Sequence, residues 1–361
     1  MNNRHSCIVT ITDGISPTSM PFNEFVLFRL KHYPDEKQVL IQLFENGVDK
    51  NIRIPNEVEY YCLGMNLLMI LKRIRDIETR YKVKAYHIHE GKSVILFSLA
   101  TLLQYRQKTI YTLHSTYKNY PFHNKLFCFC ASILARKIVC VSRTSYKYYP
   151  ALLKKLCGRH AMYIQNGVDT NRIALSNSQN GCHNRSFTMV YVARLVPLKR
   201  HHILLETLRK LPNVSLKLIG IGPLESELKQ RVSELGISRQ VEFMGLLSRE
   251  KVYQELKNAD LYVSSSSYEG LPIGVLEAMC CGIPCLVSDI EQHQEIAEKC
   301  SSLSLCRDDV DEWTRNICEI ESLSSETRSR IGRDNKRQVE LHFSLTAMHE
   351  KYDVLYSLIN A

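Results

Sequence analysis

Two glutamates eight residues apart surround the start of a predicted helix in DLYVSSSSYEGLPIGVLEAMCCGIPCLVSD, residues 260–289. Glu269 lies in a loop after the short apolar run from Leu261 to Val263, whereas Glu277 lies inside the helix. Strand-to-helix loops of this kind bind ligands in open α/β sheets, and the first N–H groups of a helix attract anions. A carboxylate beside an anion is unfavourable unless it has another partner. We therefore expect both glutamates to bind hydroxyl groups that flank a phosphate.

The ends of this helix are marked by residues that helices accept at their termini. Pro272 is tolerated in the first turn, because its missing N–H would be unpaired there in any case. The helix is expected to run to about Cys281, with Gly282 in the left-handed conformation and Pro284 preventing continuation. Residues 285–287 form the next strand, so the segment is one βαβ unit.

A second strand-to-helix loop, in YVARLVPLKRHHILLETL, carries two cations, Arg194 and Lys199. Two cations beside incoming helical N–H groups form a good diphosphate site. Two solvated surface cations are the alternative. A third loop contains Gly220 and Gly222 after a strand. This glycine pair alone is weak evidence for a ligand site, because any tight turn uses glycine. Together the three loops bring glycines, cations and carboxylates to one edge of a sheet.

Histidines follow two predicted strands in the first half of the chain. His114, in TIYTLHSTYKNYP, lies just past a strand end, where α/β folds place functional side chains; a structural histidine is the alternative. His87 and His89 lie on one strand, and we expect them to point to opposite faces and to share no ligand.

The acidic segment DDVDEW, Asp308 to Trp313, contains an Asp-x-Asp triplet. Such a triplet could hold a metal-bound nucleotide sugar, but acids at a helix start also favour the helix dipole. No further acids or histidines cluster nearby in sequence, so we favour the helix start.

Alternating strands and helices recur on both sides of a polar stretch, Thr170 to Ser186, which we interpret as a linker. This pattern predicts an α/β protein with two doubly wound domains and a ligand cleft between them. We expect the domains at residues 1–170 and 171–344, followed by a helix at 345–361 that returns to the first domain. Strands are expected at residues 7–11, 39–44, 85–89, 109–113, 137–141, 188–192, 215–219, 241–243, 261–263 and 285–287.

Composition excludes several classes of protein. The 361 residues are 45% hydrophobic and 23% charged, as in globular proteins. The amino terminus predicts no signal peptide. The longest apolar run, Val94 to Leu103, is about half a membrane span and is expected to be a buried helix. Thirteen scattered cysteines without a CxxC pair indicate free thiols in a reducing cytosol.

The net charge of +10 is unevenly distributed along the chain. Residues 1–172 contain 25 Lys and Arg against 12 Asp and Glu, and the remainder contains 22 against 25. This asymmetry indicates that the first half meets an anionic partner, for which nucleic acid, a membrane surface and a phosphorylated lipid all fit. An ordinary solvated surface is the alternative.

Several of these stretches together resemble the retaining GT-B glycosyltransferases of family 4. EGLPIGVLEAMCCGIPCLVSD keeps the family's E-x7-E spacing at Glu269 and Glu277. IQNGVD resembles its inter-domain PNGVD with Gln165 for proline, and VARLVPLKR resembles its GRL-x-x-x-K loop with Ala193 for glycine. IGIGPL, VEFMG, VCVS and TLHST also match family segments. The first loop departs from the family, because it has Gly14 alone where a Gly-Gly pair is usual.

The resemblance implies a role for each matched residue. Arg194 and Lys199 would hold the diphosphate and neutralise the leaving group, and Glu277 would bind the ribose hydroxyls. Glu269 would contact the donor sugar, which His114 would reach from the other domain. The remaining implied donor-binding residues are Gly14, Gly222, Met244, Gly245, Leu246, Gly270 and Leu271.

The implied function is retaining transfer of a hexose-type sugar in the synthesis of a surface polysaccharide such as O-antigen, capsule or lipopolysaccharide. The expected donor is a nucleotide diphosphate sugar, a UDP-sugar ahead of a GDP-sugar, and the acceptor is a saccharide or lipid-diphosphate-linked saccharide. Neither a cofactor nor a metal nor nucleic acid is expected. The expected location is the cytoplasm, with peripheral contact to anionic lipid at the inner membrane. A nucleotide-sugar epimerase of the same fold and a non-enzymatic binder of anionic polymer are the alternatives.

Overall fold

A computed structural model of the chain describes residues 4–15, 19–44, 52–157, 160–176 and 187–359. The chain divides into two compact units, Met1–Asn166 with Met348–Ala361, and Gly167–Ala347. These boundaries lie a few residues from the predicted ones. Among the described residues, no helix combines the length and apolar character needed to cross a bilayer.

The first unit is built on a seven-stranded parallel sheet with the strand order β3-β2-β1-β4-β5-β6-β7. The strands are β1 Ser6–Thr12, β2 Glu36–Gln42, β3 Glu59–Cys62, β4 Lys82–Ile88, β5 Thr109–Leu113, β6 Lys137–Cys140 and β7 Ala161–Tyr163. The helices are α1 Phe28–His32, α2 Leu67–Arg80, α3 Gly91–Ala100, α4 Phe122–Leu134, α5 Arg143–Lys147 and α6 Ala151–Cys157, and a π-helical segment Pro21–Leu27 precedes α1. The central strands are buried on both faces, as expected of a parallel sheet covered by helices.

The second unit has a six-stranded parallel sheet with the order β10-β9-β8-β11-β12-β13. The strands are β8 Phe187–Val192, β9 Val214–Ile219, β10 Val241–Gly245, β11 Leu261–Ser264, β12 Cys285–Ser288 and β13 Ser304–Cys306. The helices are α7 Thr170–Leu175, α8 His201–Leu208, α9 Glu225–Glu234, α10 Arg249–Lys257, α11 Ile273–Cys280, α12 Glu291–Ala297, α13 Val310–Ser322 and α14 Ser325–His342. The strand order reverses between β8 and β11, which places the following loops at the switch point where such sheets bind ligands.

Residues 348–361, which include most of helix α15, Leu345–Leu358, belong to the first unit. Its Asp353 accepts a hydrogen bond from the buried guanidinium of Arg29 at 2.8 Å, and Arg29 also pairs with Glu36 at 2.6 Å. The Tyr356 hydroxyl forms a hydrogen bond with Nδ1 of His87 at 2.8 Å. The two parallel sheets with their connecting helices confirm the predicted α/β class with two doubly wound units.

Two expectations about local structure are wrong, and three short strands are missing from the prediction. Thr170–Leu175 is a helix rather than linker, because Asp169 caps it by accepting a hydrogen bond from the Arg172 N–H; residues 177–186 lie outside the described residues. The run from Val94 to Leu103 is not wholly buried, since Leu99 is 60% and Leu102 84% exposed. The short strands β3, β7 and β13 were not predicted, because they lie at sheet edges and lack a buried apolar run.

Candidate active site

The loop between β8 and α8 carries both predicted cations. Arg194 is exposed, and Lys199 ends a short 3₁₀ turn that begins at Pro197. Arg200 follows with a φ of 47°, an uncommon value for a residue other than glycine, and opens α8. The Lys199 carbonyl accepts hydrogen bonds from the hydroxyl groups of Tyr191 at 3.1 Å and Ser265 at 2.9 Å. The loop is therefore held in one conformation by side chains beneath it.

Lys199 and Glu269 meet although 70 residues separate them in sequence. The Lys199 Nζ donates to Glu269 Oε1 at 2.5 Å, and the two side chains are only 18% and 14% exposed. The pair joins the loop after β8 to the loop after β11. A cation and a carboxylate consequently lie side by side at the switch point of the sheet.

Backbone contacts fix the loop that carries Glu269. The Arg200 guanidinium donates to the carbonyl oxygens of Ser265 at 3.0 Å and Ser266 at 3.4 Å, and it forms an ion pair with Asp308. The Ser267 N–H donates to the Leu198 carbonyl at 2.8 Å. Since ordering a loop costs conformational entropy, these contacts leave little to be ordered when a ligand binds.

Glu277 projects from α11 beside Tyr253 and Arg249. It accepts a hydrogen bond from the Tyr253 hydroxyl at 2.9 Å, and Arg249 Nη1 lies 3.8 Å from the same oxygen. Burial and the nearby Glu277 carboxylate raise the pKa of Tyr253. The helix begins after Pro272 and ends before Gly282, whose φ of 80° confirms the predicted left-handed end.

Glycines allow the three loops to approach closely. A Cβ at Gly220 would clash with the Ala193 carbonyl oxygen, and one at Gly222 would lie 2.7 Å from the Leu195 nitrogen. Gly274, on the first turn of α11, leaves room for the Tyr262 hydroxyl, which would lie 2.9 Å from an added Cβ. The remaining second-unit candidates are partly exposed Met244, Gly245 with a φ of 64°, exposed Leu246, partly exposed Gly270 and buried Leu271.

Two predicted residues of the first unit, Gly14 and His114, line one cavity of about 460 Å³. His114 Nε2 lies 2.9 Å from Nδ1 of His89, and burial lowers the pKa of His114 to about 4. The imidazole of His114 is therefore neutral at physiological pH and is able to donate one hydrogen bond and accept another.

The expectation that His87 and His89 point to opposite faces is wrong. Their rings stack with centroids 4.3 Å apart, and the rings of His89 and His114 stack at 5.1 Å. The reason is that side chains on a strand alternate with a period of two, so residues two apart share a face. Burial lowers the pKa of both His87 and His89. His89 is thus a direct neighbour of His114.

Sequence inspection missed two acidic residues of the same cavity, Asp13 and Glu90. Glu90 precedes α3 directly and accepts hydrogen bonds from the Asp13 N–H at 3.1 Å and the Thr12 hydroxyl at 3.2 Å. Burial and the neighbouring Asp13 raise the pKa of Glu90 to about 8. The sequence contained a signal for both acids. Asp13 follows the end of β1 and Glu90 follows the end of β4, just as His114 follows the end of β5.

The segment DDVDEW forms a helix start, as expected. Asp309 is the N-cap of α13 and accepts a hydrogen bond from the Glu312 N–H at 2.7 Å. Asp308 pairs with Arg200 and Asp311 pairs with Lys210. Asp308, Asp309 and Asp311 therefore each have a partner within the protein.

Two family models match the chain in succession. The model of Glycosyltransferase Family 4 matches residues 34–172, and the model of Glycosyl transferases group 1 matches residues 175–338. Together they cover most of both units.

Curated relatives are distant. The UDP-Gal:alpha-D-GlcNAc-diphosphoundecaprenol alpha-1,3-galactosyltransferase of Escherichia coli is 24% identical over 63% of this chain and 64% of its own length. The alpha-monoglucosyldiacylglycerol synthase of Acholeplasma laidlawii is 23% identical over 68% of each chain.

Solved structures share the fold. Sucrose-phosphate synthase from Thermosynechococcus elongatus superposes with a TM-score of 0.81 at 15% identity over 99% of both chains. Anabaena HepE in complex with UDP and glucose superposes with a TM-score of 0.77 at 19% identity over 98% of this chain and 100% of that one.

Proposed function

The chain belongs to glycosyltransferase family 4, with a GT-B fold, and from this premise we propose that it is a retaining hexosyltransferase. It would transfer a sugar from a nucleotide diphosphate sugar to a saccharide or lipid-linked saccharide during assembly of a surface polysaccharide. The observation that carries the proposal is the Lys199–Glu269 pair, with Arg194 in the same loop and Glu277 on α11. Two cations, two acids and a helix start occur together there, which supports the binding of a sugar diphosphate at these loops.

We assign the donor-binding roles as follows. Arg194 and Lys199 hold the diphosphate and stabilise the negative charge that builds on it as the glycosidic bond breaks. Glu277 accepts hydrogen bonds from the ribose hydroxyls, and Glu269 accepts them from the sugar. His114, neutral at physiological pH, hydrogen-bonds to the sugar. The further donor-binding residues are Gly14, Gly222, Met244, Gly245, Leu246, Gly270 and Leu271.

The proposed chemistry proceeds with retention by attack on the face from which the diphosphate leaves. The hydroxyl oxygen of the acceptor forms the new bond to the anomeric carbon while the bond to the diphosphate breaks. A phosphate oxygen takes the hydroxyl proton. Glu269 pairs with Lys199 in the ligand-free protein, which suits a hydrogen-bonding role better than that of a covalent nucleophile. Because cations already face the diphosphate, the reaction is proposed to need no metal.

A UDP-sugar and a lipid-diphosphate-linked acceptor are the proposed substrates. Support comes from the UDP-Gal donor and diphosphoundecaprenol acceptor in the name of the Escherichia coli relative and from UDP in the HepE complex. The test is mass spectrometry of products formed from a panel of UDP-, GDP- and ADP-sugars with undecaprenyl-diphosphate-linked saccharides, with and without EDTA. We expect one extended saccharide, formed from a UDP-sugar with or without EDTA. An extended product that forms only from a GDP- or ADP-sugar, or that EDTA abolishes, would contradict the donor or the metal assignment.

We further propose that the first unit docks on anionic membrane. Its helices α3, α4 and α6 pack side by side and expose apolar side chains, of which Phe122 is 84% exposed. The exposed set is Leu99, Leu102, Phe122, Leu126, Leu152 and Leu156. Lys118, Lys125, Lys154 and Lys155 accompany them in the same part of the chain. Apolar side chains enter the interface, and each basic residue near an anionic surface contributes about 1 kcal/mol.

Liposome co-sedimentation tests this docking. Binding should require anionic lipid, fall steeply with salt and fall in the Lys118→Glu, Lys125→Glu double variant. The matched control is Lys229→Glu with Lys251→Glu, two exposed lysines of the second unit, which should bind as the wild type does. Equal binding to neutral and anionic liposomes, or an unchanged double variant, would contradict the proposal.

A further inference from the structure

His89 lies directly beside His114 in the first unit, and it bears on the sugar contact proposed for His114. It follows β4 and is only 3% exposed, whereas His114 follows β5, is partly exposed and lines the cavity of about 460 Å³. Nδ1 of His89 and Nε2 of His114 are 2.9 Å apart, which is a hydrogen-bond distance. One ring therefore donates a hydrogen bond to the other, and the direction of that bond determines which nitrogen of each ring is protonated.

The ring of His89 is held between two other histidine rings. His87 and His114 both stack on it, with ring centroids 4.3 and 5.1 Å away. His87 is itself fixed at both nitrogens, because Nδ1 is 2.8 Å from the Tyr356 hydroxyl and Nε2 is 2.7 Å from the Thr112 hydroxyl. Tyr356 lies on α15, so the stack connects this helix to His114.

The other nitrogen of His89 indicates which ring donates. Among the described residues, Nε2 of His89 is a buried polar atom that has no hydrogen-bond partner. If the shared proton belonged to His114, neutral His89 would carry its own proton on Nε2, as a buried N–H with no acceptor. A proton on Nδ1 of His89 instead leaves only a lone pair unpaired at Nε2. Buried N–H groups without a partner are rarer in proteins than acceptors without one.

Both rings are neutral, because an imidazolium here would be surrounded by stacked imidazoles instead of water. Burial accordingly lowers the pKa of His89, and it lowers the pKa of His114 to about 4. Nε2 of His114 accepts the bond from His89, so the proton of neutral His114 belongs on Nδ1. Nδ1 is the polar atom that His114 has left for a ligand of the cavity.

We propose that His89 is a positioning residue, which donates from Nδ1 to Nε2 of His114 and so makes Nδ1 of His114 the hydrogen-bond donor to the transferred sugar. The sugar contact rests on the function proposed above, whereas the state of the two rings does not. A sugar oxygen accepts the bond from His114. Glu269 acts in the opposite sense, since a carboxylate only accepts hydrogen bonds from the sugar hydroxyls.

The protonated nitrogens are measured directly by ¹⁵N–¹H correlation NMR of the ligand-free full chain, labelled with ¹⁵N-histidine and kept at neutral pH. Two-bond couplings distinguish a protonated from a bare ring nitrogen, and the variants His89→Asn and His114→Asn assign the signals. We expect both rings to be protonated at Nδ1 and bare at Nε2. A proton on Nε2 of either ring would overturn the proposal.

Two substitutions of His89 separate the hydrogen bond from packing. His89→Asn places an amide N–H near the former Nδ1 and should keep His114 protonated at Nδ1, whereas His89→Leu fills the space without a donor. By calorimetry with UDP-glucose, UDP-galactose and UDP-N-acetylglucosamine, the sugar nucleotide that binds most tightly should lose about fivefold in affinity in His89→Leu and less than about twofold in His89→Asn, since one hydrogen bond contributes about 1 kcal/mol. The matched control His5→Asn changes an exposed histidine of the same unit and should bind normally.

Titration of UDP alone separates this proposal from the function on which it rests. UDP carries no sugar, so the wild type and His89→Leu should bind it equally, which also shows that the variant is folded. Equal sugar-nucleotide affinity in His89→Leu and the wild type, or an equal loss in His89→Leu and His89→Asn, would overturn the positioning role. No binding of UDP or of any sugar nucleotide by the wild type would remove the proposed function and the sugar contact, while the NMR result would still decide the state of the two rings.

Discussion

Lys199 and Glu269 satisfy each other in the ligand-free protein, and both are needed by the proposed donor. In the proposed complex, Lys199 would gain the diphosphate as a second anionic partner, and the Glu269 carboxylate would become available to the sugar hydroxyls. The pair keeps two nearly buried charges neutralised until the substrate arrives.

The variants Arg194→Ala and Lys199→Ala should lower turnover more than donor affinity. Their positive charge matters most as charge builds on the departing diphosphate, and removing one such stabiliser costs about 100- to 1,000-fold. Steady-state kinetics with the donor identified by mass spectrometry gives both quantities. The control is Lys210→Ala, which removes an exposed cation of the same unit that pairs with Asp311. Near-normal turnover in both test variants would mean that the diphosphate binds elsewhere.

The sequence predicted the local positions of the candidate residues but not their contacts. Arg194, Lys199 and Glu269 lie in loops that follow strands, and Glu277 lies in the helix after one of them, as the spacing predicted. The contact of Lys199 with Glu269 could not be predicted, since it depends on strands β8 and β11 being neighbours in the sheet. Glu90 and Asp13 each follow a strand end and could have been noted, but their proximity could not be predicted, since it arises from the pairing of β1 with β4.

The loops of the second unit act as one element because they are joined to each other as well as to the sheet. Arg200 binds the loop after β11, and Gly220 and Gly222 let the loop after β9 lie against residues 193–195. The positions of Arg194 and Glu269 therefore depend on Arg200 and Gly220, to which no ligand contact is assigned, as well as on Gly222.

Gly222→Ala should weaken nucleotide binding by at least tenfold while the protein stays folded. The new Cβ would lie 2.7 Å from the Leu195 nitrogen, so the loop carrying Arg194 must move. Calorimetry with UDP measures the affinity, and circular dichroism confirms folding.

Gly236→Ala is the matched control for this substitution. Gly236 has a φ of 69°, but a Cβ there meets no atom within 4 Å. The control should lose about 1 kcal/mol of stability and keep its UDP affinity. Equal UDP affinity in Gly222→Ala and the wild type would show that the two loops are not coupled.

Element ends were partly predictable. Gly282 and Pro284 marked the end of α11 because their conformational limits are local. The close packing of Gly282 against Gly332 of α14 could not be foreseen, since it joins segments far apart in sequence. The helix Thr170–Leu175 was missed because a polar composition outweighed the capping signal of Asp169.

Across the whole molecule, buried neutral histidines set the response to acid. Burial lowers the pKa of His114, His201, His293 and His349 to about 4, against 6.5 for the free side chain. Between pH 6.5 and 4 the unfolded chain binds protons that the folded chain does not, so stability falls as the pH falls through this window. Glu90 acts oppositely, because its folded pKa is raised.

The free energy of unfolding should drop by at least about 2 kcal/mol between pH 6.5 and 5, since each pKa unit is worth about 1.4 kcal/mol. Urea denaturation at both pH values measures the drop. Two adjacent histidines give a matched pair: His201 is buried and His202 is exposed. His201→Gln should reduce the pH dependence, and His202→Gln should leave it unchanged. Equal stability at the two pH values would contradict this account.

The proposed function requires that the second unit bind a nucleotide diphosphate through Glu277 and the loop cations Arg194 and Lys199. Calorimetric titration of UDP into the wild type and Glu277→Ala tests it most directly, with Glu255→Ala of α10 as a control that removes an acid paired with Lys217. Hydrogen bonds to a charged group contribute about 1.5–3 kcal/mol, which corresponds to roughly 10- to 100-fold in affinity. We expect the wild type and the control to bind UDP, and Glu277→Ala to bind it more weakly by that factor. No UDP binding by the wild type, or equal affinity in Glu277→Ala, would contradict this expectation.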